Sequence, residues 1–187
     1  LLLGTLSRAR ATTVPSFIND LPNLIRLLVS HPNDLWTPSP SSAEASESYW
    51  VFESTTPLFM GALSLYDNSF EALFSTAAVT VSSEPRGAEL ARCLLCCMSR
   101  GRMREVALLL QYFGPTLFHH KRIERDWAHT LMHEALTLAI DRHAPSTVLS
   151  KLLALKDEDA VLRVNFSPLP VYAAVMQGDI LSLTMLL

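Results

Sequence analysis

The 187-residue chain carries 15 Lys and Arg against 18 Asp and Glu, and 49% of its residues are hydrophobic. This composition is typical of a globular protein with an apolar core, and it excludes the collagen-like, coiled-coil and disordered classes. A chain of this length can bury a stable core without disulfides or metals. No apolar run reaches the ~18 residues that a membrane-spanning helix needs, so the sequence predicts no membrane span.

The N-terminal part contains two regions of different character. Residues 1–30 are predicted to hold a partial helical repeat, since the Leu-rich stretch around Leu24 to Leu28 is typical of a second helix in a hairpin. Residues 31–54 are rich in Pro and Ser without any period, which predicts an extended loop or insertion.

The rest of the chain, residues 55–187, contains four similar units that start near 56, 92, 130 and 167. The steps between them are 36, 38 and 37 residues, and this regularity indicates a repeat protein. Each unit runs through an apolar stretch, pauses at a polar or Gly junction and ends in a Leu-rich stretch, which predicts two short helices. A hairpin of this kind buries its apolar face only against a neighbouring hairpin, so we expect a stack that continues beyond both ends of this sequence. The predicted junctions are Asp67-Asn68, Arg100-Gly101, Asp141 to His143 and Gln177-Gly178.

Local sequence signals support these helix pairs. Thr56-Pro57 and Ser167-Pro168 predict helix starts, because the hydroxyl can accept from an unpaired amide and Pro suits the first helical position. Gly101 and Gly178 tolerate the left-handed conformation that ends a first helix.

Two of the units resemble the ankyrin-repeat family. Asp126 to Ala135, which reads DWAHTLMHEA, is similar to the family's turn followed by its T-P-L-H-x-A helix start. Ser167-Pro168-Leu169 with Gly178-Asp179 adds a second match. Phe59 and Pro170 replace the family's His, Cys93 replaces its Pro, and the steps exceed the family's ~33 residues. The predicted fold is therefore an all-α solenoid of ankyrin-like hairpins with short helices, and a HEAT- or armadillo-like solenoid is the alternative.

The resemblance implies that partners bind through the projecting turns and the adjacent concave face. Trp and Arg are the side chains most enriched at interface hot spots, so Trp127 beside Arg125 is the first candidate anchor. The alternative is that Trp127 covers the core beneath its own turn. The predicted partner-binding residues are His119, His120, Lys121, Arg122, Arg125, Asp126 and Trp127.

A basic segment suggests a second class of partner. Residues 100–125 contain six Lys and Arg against two Glu, in a chain whose net charge is −3. Such asymmetry can mark a contact with nucleic acid, here through Arg100, Arg102 and Arg104. No aromatic interleaving or nucleic-acid-binding motif accompanies these residues, so a protein partner is preferred.

Three cysteines and two histidines invite a metal or redox interpretation. Cys93, Cys96 and Cys97 lack two further ligands at zinc-finger spacing, and we prefer to read them as small buried hydrophobes. His129 and His133 do not have zincin order, because Glu134 follows the second His. The resemblance puts His129 in a turn before Thr130 and gives His133 a structural hydrogen bond.

No catalytic constellation or phosphate-binding loop is present, so the sequence predicts a non-enzyme with no cofactor and no metal. Three clustered thiols that cannot form a disulfide framework indicate a reducing, intracellular compartment, with the cytoplasm favoured. The predicted function is a non-catalytic protein-binding scaffold or a subunit of a larger assembly. The alternative is a helical-repeat component of a ribonucleoprotein.

Overall fold

The structure is a computed structural model that describes residues 15–28, 35, 56–78, 87–118, 125–158 and 168–187. Within these ranges all regular secondary structure is helical, with nine α-helices and no strand, which confirms the predicted all-α class. None of these helices has both the length and the apolar character that crossing a bilayer requires. The chain divides into two compact units, Leu1–Ser82 and Ser83–Leu187.

The first unit contains helices α1 (Pro15–Leu28), α2 (Pro57–Ser64) and α3 (Asp67–Ala78), and α3 packs against both others. The helix start predicted at Thr56-Pro57 is confirmed: the Thr56 hydroxyl accepts from the Phe59 amide at 3.1 Å, and Pro57 opens the helix. Phe70 and Phe74 stack in the core with ring centroids 4.1 Å apart. Most of the predicted loop 31–54 lies outside the described residues, but Leu35 is fully buried.

The second unit consists of three helical hairpins. Their helices are α4 (Gly87–Ser99), α5 (Met103–Phe118), α6 (Arg125–Asp141), α7 (Ser146–Glu158), α8 (Leu169–Gln177) and α9 (Ile180–Leu186). The first helices contact one another in the order α4, α6, α8, and the second helices do so in the order α5, α7, α9. Each hairpin thus packs both of its helices against the corresponding helices of its neighbour.

The three hairpins of this unit share one junction geometry. Gly101, His143 and Gly178 adopt left-handed φ values of 69°, 51° and 66°. The amide of each donates to the carbonyl three residues earlier at 2.9–3.1 Å, and the next amide donates to the carbonyl five residues before itself at 2.8–2.9 Å. This is a Schellman motif, which satisfies the last carbonyls of the first helix. The junctions predicted at these three places are confirmed.

Small buried residues stand at the same position before each junction. Cys97, Ala139 and Ala174 lie four residues before the left-handed residue, and none is more than 1% exposed. The burial of a small side chain therefore repeats along with the junction.

The hairpin α2–α3 is built differently from these three. Its connection is Leu65-Tyr66, and the predicted pause at Asp67-Asn68 instead forms the first turn of α3. Several helices are also longer than the predicted short ones, since α5 and α6 contain 16 and 17 residues. Three of the four predicted repeat units thus share one junction geometry, and the unit that starts near 56 has a different connection.

The left-handed junctions give opposite expectations for two substitutions. Gly178→Ala should lower the free energy of unfolding by about 1 kcal/mol, because a Cβ strains this conformation even where space is open. His143→Gly should leave stability unchanged or raise it by up to about 1 kcal/mol, since it removes that strain. Urea denaturation followed by circular dichroism measures both, and a destabilised His143→Gly would contradict the shared geometry.

Candidate protein-binding surface

The predicted binding residues are only partly described. His119, His120, Lys121 and Arg122 lie outside the described residues. The backbone of Arg125, Asp126 and Trp127 forms the first turn of α6, so the prediction that they precede the helix in a turn is wrong. No Gly or Pro interrupts residues 125–141, and the helix therefore extends back beyond the predicted start at Thr130.

The same helix extension corrects the prediction for the two histidines. His129 falls inside α6 and not in a turn, so His129 and His133 lie four residues apart on one helix. His133 is half-buried and Glu134 is exposed. Among the residues whose side chains are described, no group of three or more His, Cys, Asp and Glu could hold a metal ion.

The three junctions form one edge of the second unit, which we call the junction edge: residues 100–104, 141–146 and 177–179. A hydrogen bond between side chains joins two of these junctions: Gln177 Nε2 donates to Asp141 Oδ1 at 2.8 Å and links α8 to α6. Arg100, Arg104 and Arg142 are exposed along this edge. No local sequence pattern groups Arg142 with the other two, because 38 or more positions separate them and only the stacked hairpins bring their junctions to the same edge.

Arg102 stands apart from its exposed neighbours. Its Nη2 lies 3.5 Å from Glu105 Oε1, and each side chain is only 6% exposed. A guanidinium at such depth is stabilised by an opposite charge that is equally shielded from water. Of the three arginines predicted to contact nucleic acid, Arg100 and Arg104 are therefore exposed and Arg102 is buried in an ion pair.

The cysteine cluster lies on α4, with Cys93 and Cys97 buried and Cys96 half-buried. Burial raises the pKa of the Cys97 thiol to about 12 and raises the pKa of Cys93 well above its ordinary value. Burial also raises the pKa of Cys96, against the opposing effect of Arg100 and Arg102. Desolvation disfavours the thiolate, which is the form that attacks electrophiles and binds metals. The burial of Cys93 and Cys97 matches the prediction of small core residues.

This burial predicts slow thiol modification in the folded protein. At pH 8, a pKa of about 12 leaves roughly 10⁻⁴ of Cys97 as thiolate, on the order of 10³-fold less than in an ordinary thiol. Iodoacetamide labelling followed by peptide mass spectrometry should thus modify Cys96 first, and Cys93 and Cys97 only under denaturing conditions. Rapid native labelling of Cys97 would contradict its buried placement.

Comparison of the chain with protein-family models, with curated protein sequences and with solved structures finds no match. The geometry of the hairpins and the chemistry of the exposed residues therefore carry the functional argument.

Proposed function

We propose that this protein is a non-catalytic scaffold in which a solenoid of helical hairpins binds a protein partner, alone or as a subunit of a larger assembly. The observation that carries the proposal is which helices contact one another in the second unit. Its first helices contact one another in series, and its second helices do the same. This nearest-neighbour arrangement is the defining feature of solenoid proteins, whose extended surfaces are used for binding.

The repeat type that we propose is ankyrin-like. The hairpin α8–α9 supports this assignment, because its helices have 9 and 7 residues and it follows the Ser-Pro-Leu sequence at 167–169. The left-handed glycine between these helices, Gly178, occupies the position that the ankyrin-like pattern requires. The longer helices α5 and α6 are the feature that the HEAT-like alternative explains better.

The proposed binding anchors are Trp127 and Arg125, at the start of α6. A rigid stack loses little conformational entropy on binding, so a few anchors can supply most of the affinity. The junction edge lies at the other end of α6, after Asp141. The two ends of this helix can thus be tested as separate surfaces.

The test is partner capture by matched variants. The wild-type protein is used to isolate its bound chains, which are then identified. The affinity of these chains for the wild type is compared, by titration, with their affinity for the variant Arg125→Ala/Trp127→Ala. Loss of two hot-spot residues should weaken binding at least ten-fold. The matched control is Arg142→Ala/Tyr66→Ala, which removes an exposed Arg and an exposed aromatic residue elsewhere and should bind as the wild type does.

Unchanged binding by the folded Arg125→Ala/Trp127→Ala variant would remove this surface from the proposal. Far-UV circular dichroism and the unfolding midpoint establish that the variant is folded. A variant that binds poorly because it is unfolded would lose its cooperative transition, which distinguishes it from a folded protein with a damaged surface.

The ribonucleoprotein alternative has a distinct signature. Binding to phosphates falls steeply with salt because counterions are released, whereas an interface with apolar anchors changes much less. Arg100→Ala/Arg104→Ala should reduce the salt dependence of RNA binding if these exposed residues contact phosphates. Binding to a partner protein that is insensitive to salt favours the scaffold.

A further inference from the structure

The exposed arginines of the second unit are concentrated on the junction edge. Among the side chains that the structure describes in this unit, the exposed arginines are Arg100, Arg104 and Arg142, and all three lie on that edge. The two other arginines described there, Arg92 and Arg102, are less exposed, and they lie 2.8 Å and 3.5 Å from glutamate oxygens. The guanidinium groups that a partner can reach in this part of the chain are therefore those of one edge.

The shared junction geometry sets the spacing of two of these groups. Arg100 and Arg142 each stand one residue before the left-handed residue of their hairpin, Gly101 or His143. Their helices, α4 and α6, contact each other, and the axes of packed helices are about 8–10 Å apart. Equivalent positions on the two helices therefore present their side chains about one helix spacing apart. Arg104 adds a third guanidinium in the first turn of α5.

The two carboxylates of the junction edge are engaged within the protein. Asp141 Oδ1 accepts from Gln177 Nε2 at 2.8 Å. Asp179 caps α9 by accepting from the Ser182 amide at 3.0 Å and from the Ser182 hydroxyl. These hydrogen bonds hold the pKa of Asp179 below its ordinary value, so this carboxylate stays ionised. The edge thus presents three exposed guanidinium groups beside two carboxylates that bind donors of their own chain.

This mixture of charges favours an acidic peptide over a nucleic acid. Guanidinium groups bind both carboxylates and phosphates through paired hydrogen bonds. A nucleic-acid strand carries a charge on every nucleotide, so Asp141 and Asp179 would oppose it along the same edge. A peptide can place neutral residues opposite these two carboxylates. The edge also contains no Phe, Tyr or Trp on which a base could stack.

The spacing of the arginines indicates the conformation of such a peptide. A polyproline II segment has three residues per turn and rises about 3.1 Å per residue, so residues three apart share one face at about 9 Å. This distance matches the spacing of packed helices. Carboxylates at every third residue would therefore reach Arg100 and Arg142 together.

We propose that the junction edge binds an extended acidic segment of a partner protein, whose carboxylates recur at every third residue and pair with Arg100 and Arg142. Arg104 supplies a further cation beside the first of these pairs. The inference concerns a second ligand and does not rest on the anchors proposed at the start of α6, because the junction edge lies at the other end of that helix.

The experiment titrates the intact 187-residue chain into a fluorescent peptide of four Glu-Pro-Pro repeats, at about 50 mM salt, and follows anisotropy. The wild type should bind this peptide and not its Lys-Pro-Pro counterpart. Arg100→Ala/Arg142→Ala should weaken binding about ten-fold or more, because two charge-assisted contacts are lost. The matched control is Arg26→Ala/Lys151→Ala, which removes the same charge from exposed positions outside the edge and should bind as the wild type does.

Three results would overturn the proposal. A wild type that does not bind the acidic peptide leaves the edge without this ligand. Equal weakening by Arg26→Ala/Lys151→Ala would show that binding follows net charge and not the edge. Tighter binding of a single-stranded RNA of the same length, lost in Arg100→Ala/Arg142→Ala, would assign the edge to nucleic acid. Far-UV circular dichroism of both variants, whose substituted side chains are exposed, establishes that each is folded.

Discussion

Glu105→Ala should lower the free energy of unfolding by about 3–5 kcal/mol, because it leaves the charge of Arg102 buried without its carboxylate. The matched control is Glu134→Ala, which removes an exposed carboxylate from α6 and should change stability by less than about 0.5 kcal/mol. Urea denaturation of both variants measures the difference.

The double variant Arg102→Met/Glu105→Leu separates the buried charge from the packing. Replacement of both ions by apolar side chains of similar volume removes the cost of burying charge, so most of the lost stability should return. A loss below about 1 kcal/mol in Glu105→Ala would mean that water reaches the guanidinium and that the pair is not buried in solution.

Phe113→Ala should lower the free energy of unfolding by about 3–5 kcal/mol, because it removes a large buried side chain and leaves a cavity. Phe113 lies on α5, which packs against both α4 and α7, and is 1% exposed. The cavity therefore opens in the buried core of the second unit. Phe113→Leu should cost less because it preserves more of the volume.

A neighbour of Phe113 on the same helix provides the comparison. Gln111 is exposed on the same helix, and Gln111→Ala should change stability by less than about 0.5 kcal/mol. The unfolding midpoints of Phe113→Ala, Phe113→Leu and Gln111→Ala are compared. The comparison requires that the slope of the free energy of unfolding against denaturant concentration is the same in all three. Equal effects of Phe113→Ala and Gln111→Ala would contradict the placement of Phe113 in the core.

The helix pairs of the second unit could be predicted because their signals are local. A glycine in the left-handed conformation and a change from apolar to polar residues mark Gly101 and Gly178 in the sequence itself. His143 adopts the same conformation without the glycine, and the repeat spacing was needed to find it. Two of these junctions are thus predicted by a few neighbouring residues, and the junction at His143 is predicted by its place in the repeat.

The start of α6 and the burial of Arg102 could not be predicted in the same way. The resemblance to the ankyrin family predicts a turn at residues 125–129, but these residues contain no Gly or Pro that would end a helix. In the sequence, Arg102 cannot be distinguished from the exposed arginines on either side of it. Its spacing of three residues from Glu105 nevertheless indicates that Arg102 and Glu105 can form an ion pair. Its burial depends on how α4 and α5 pack, which no local pattern specifies.

The helix contacts of the second unit are close in sequence, and this also determines how the unit folds. Every major helix contact there joins helices that are adjacent or separated by one other helix along the chain. Contacts this close in sequence close only short loops, and proteins rich in them fold within microseconds to milliseconds. Nucleation can start at any hairpin and propagate in both directions, so kinetic folding routes in parallel are expected.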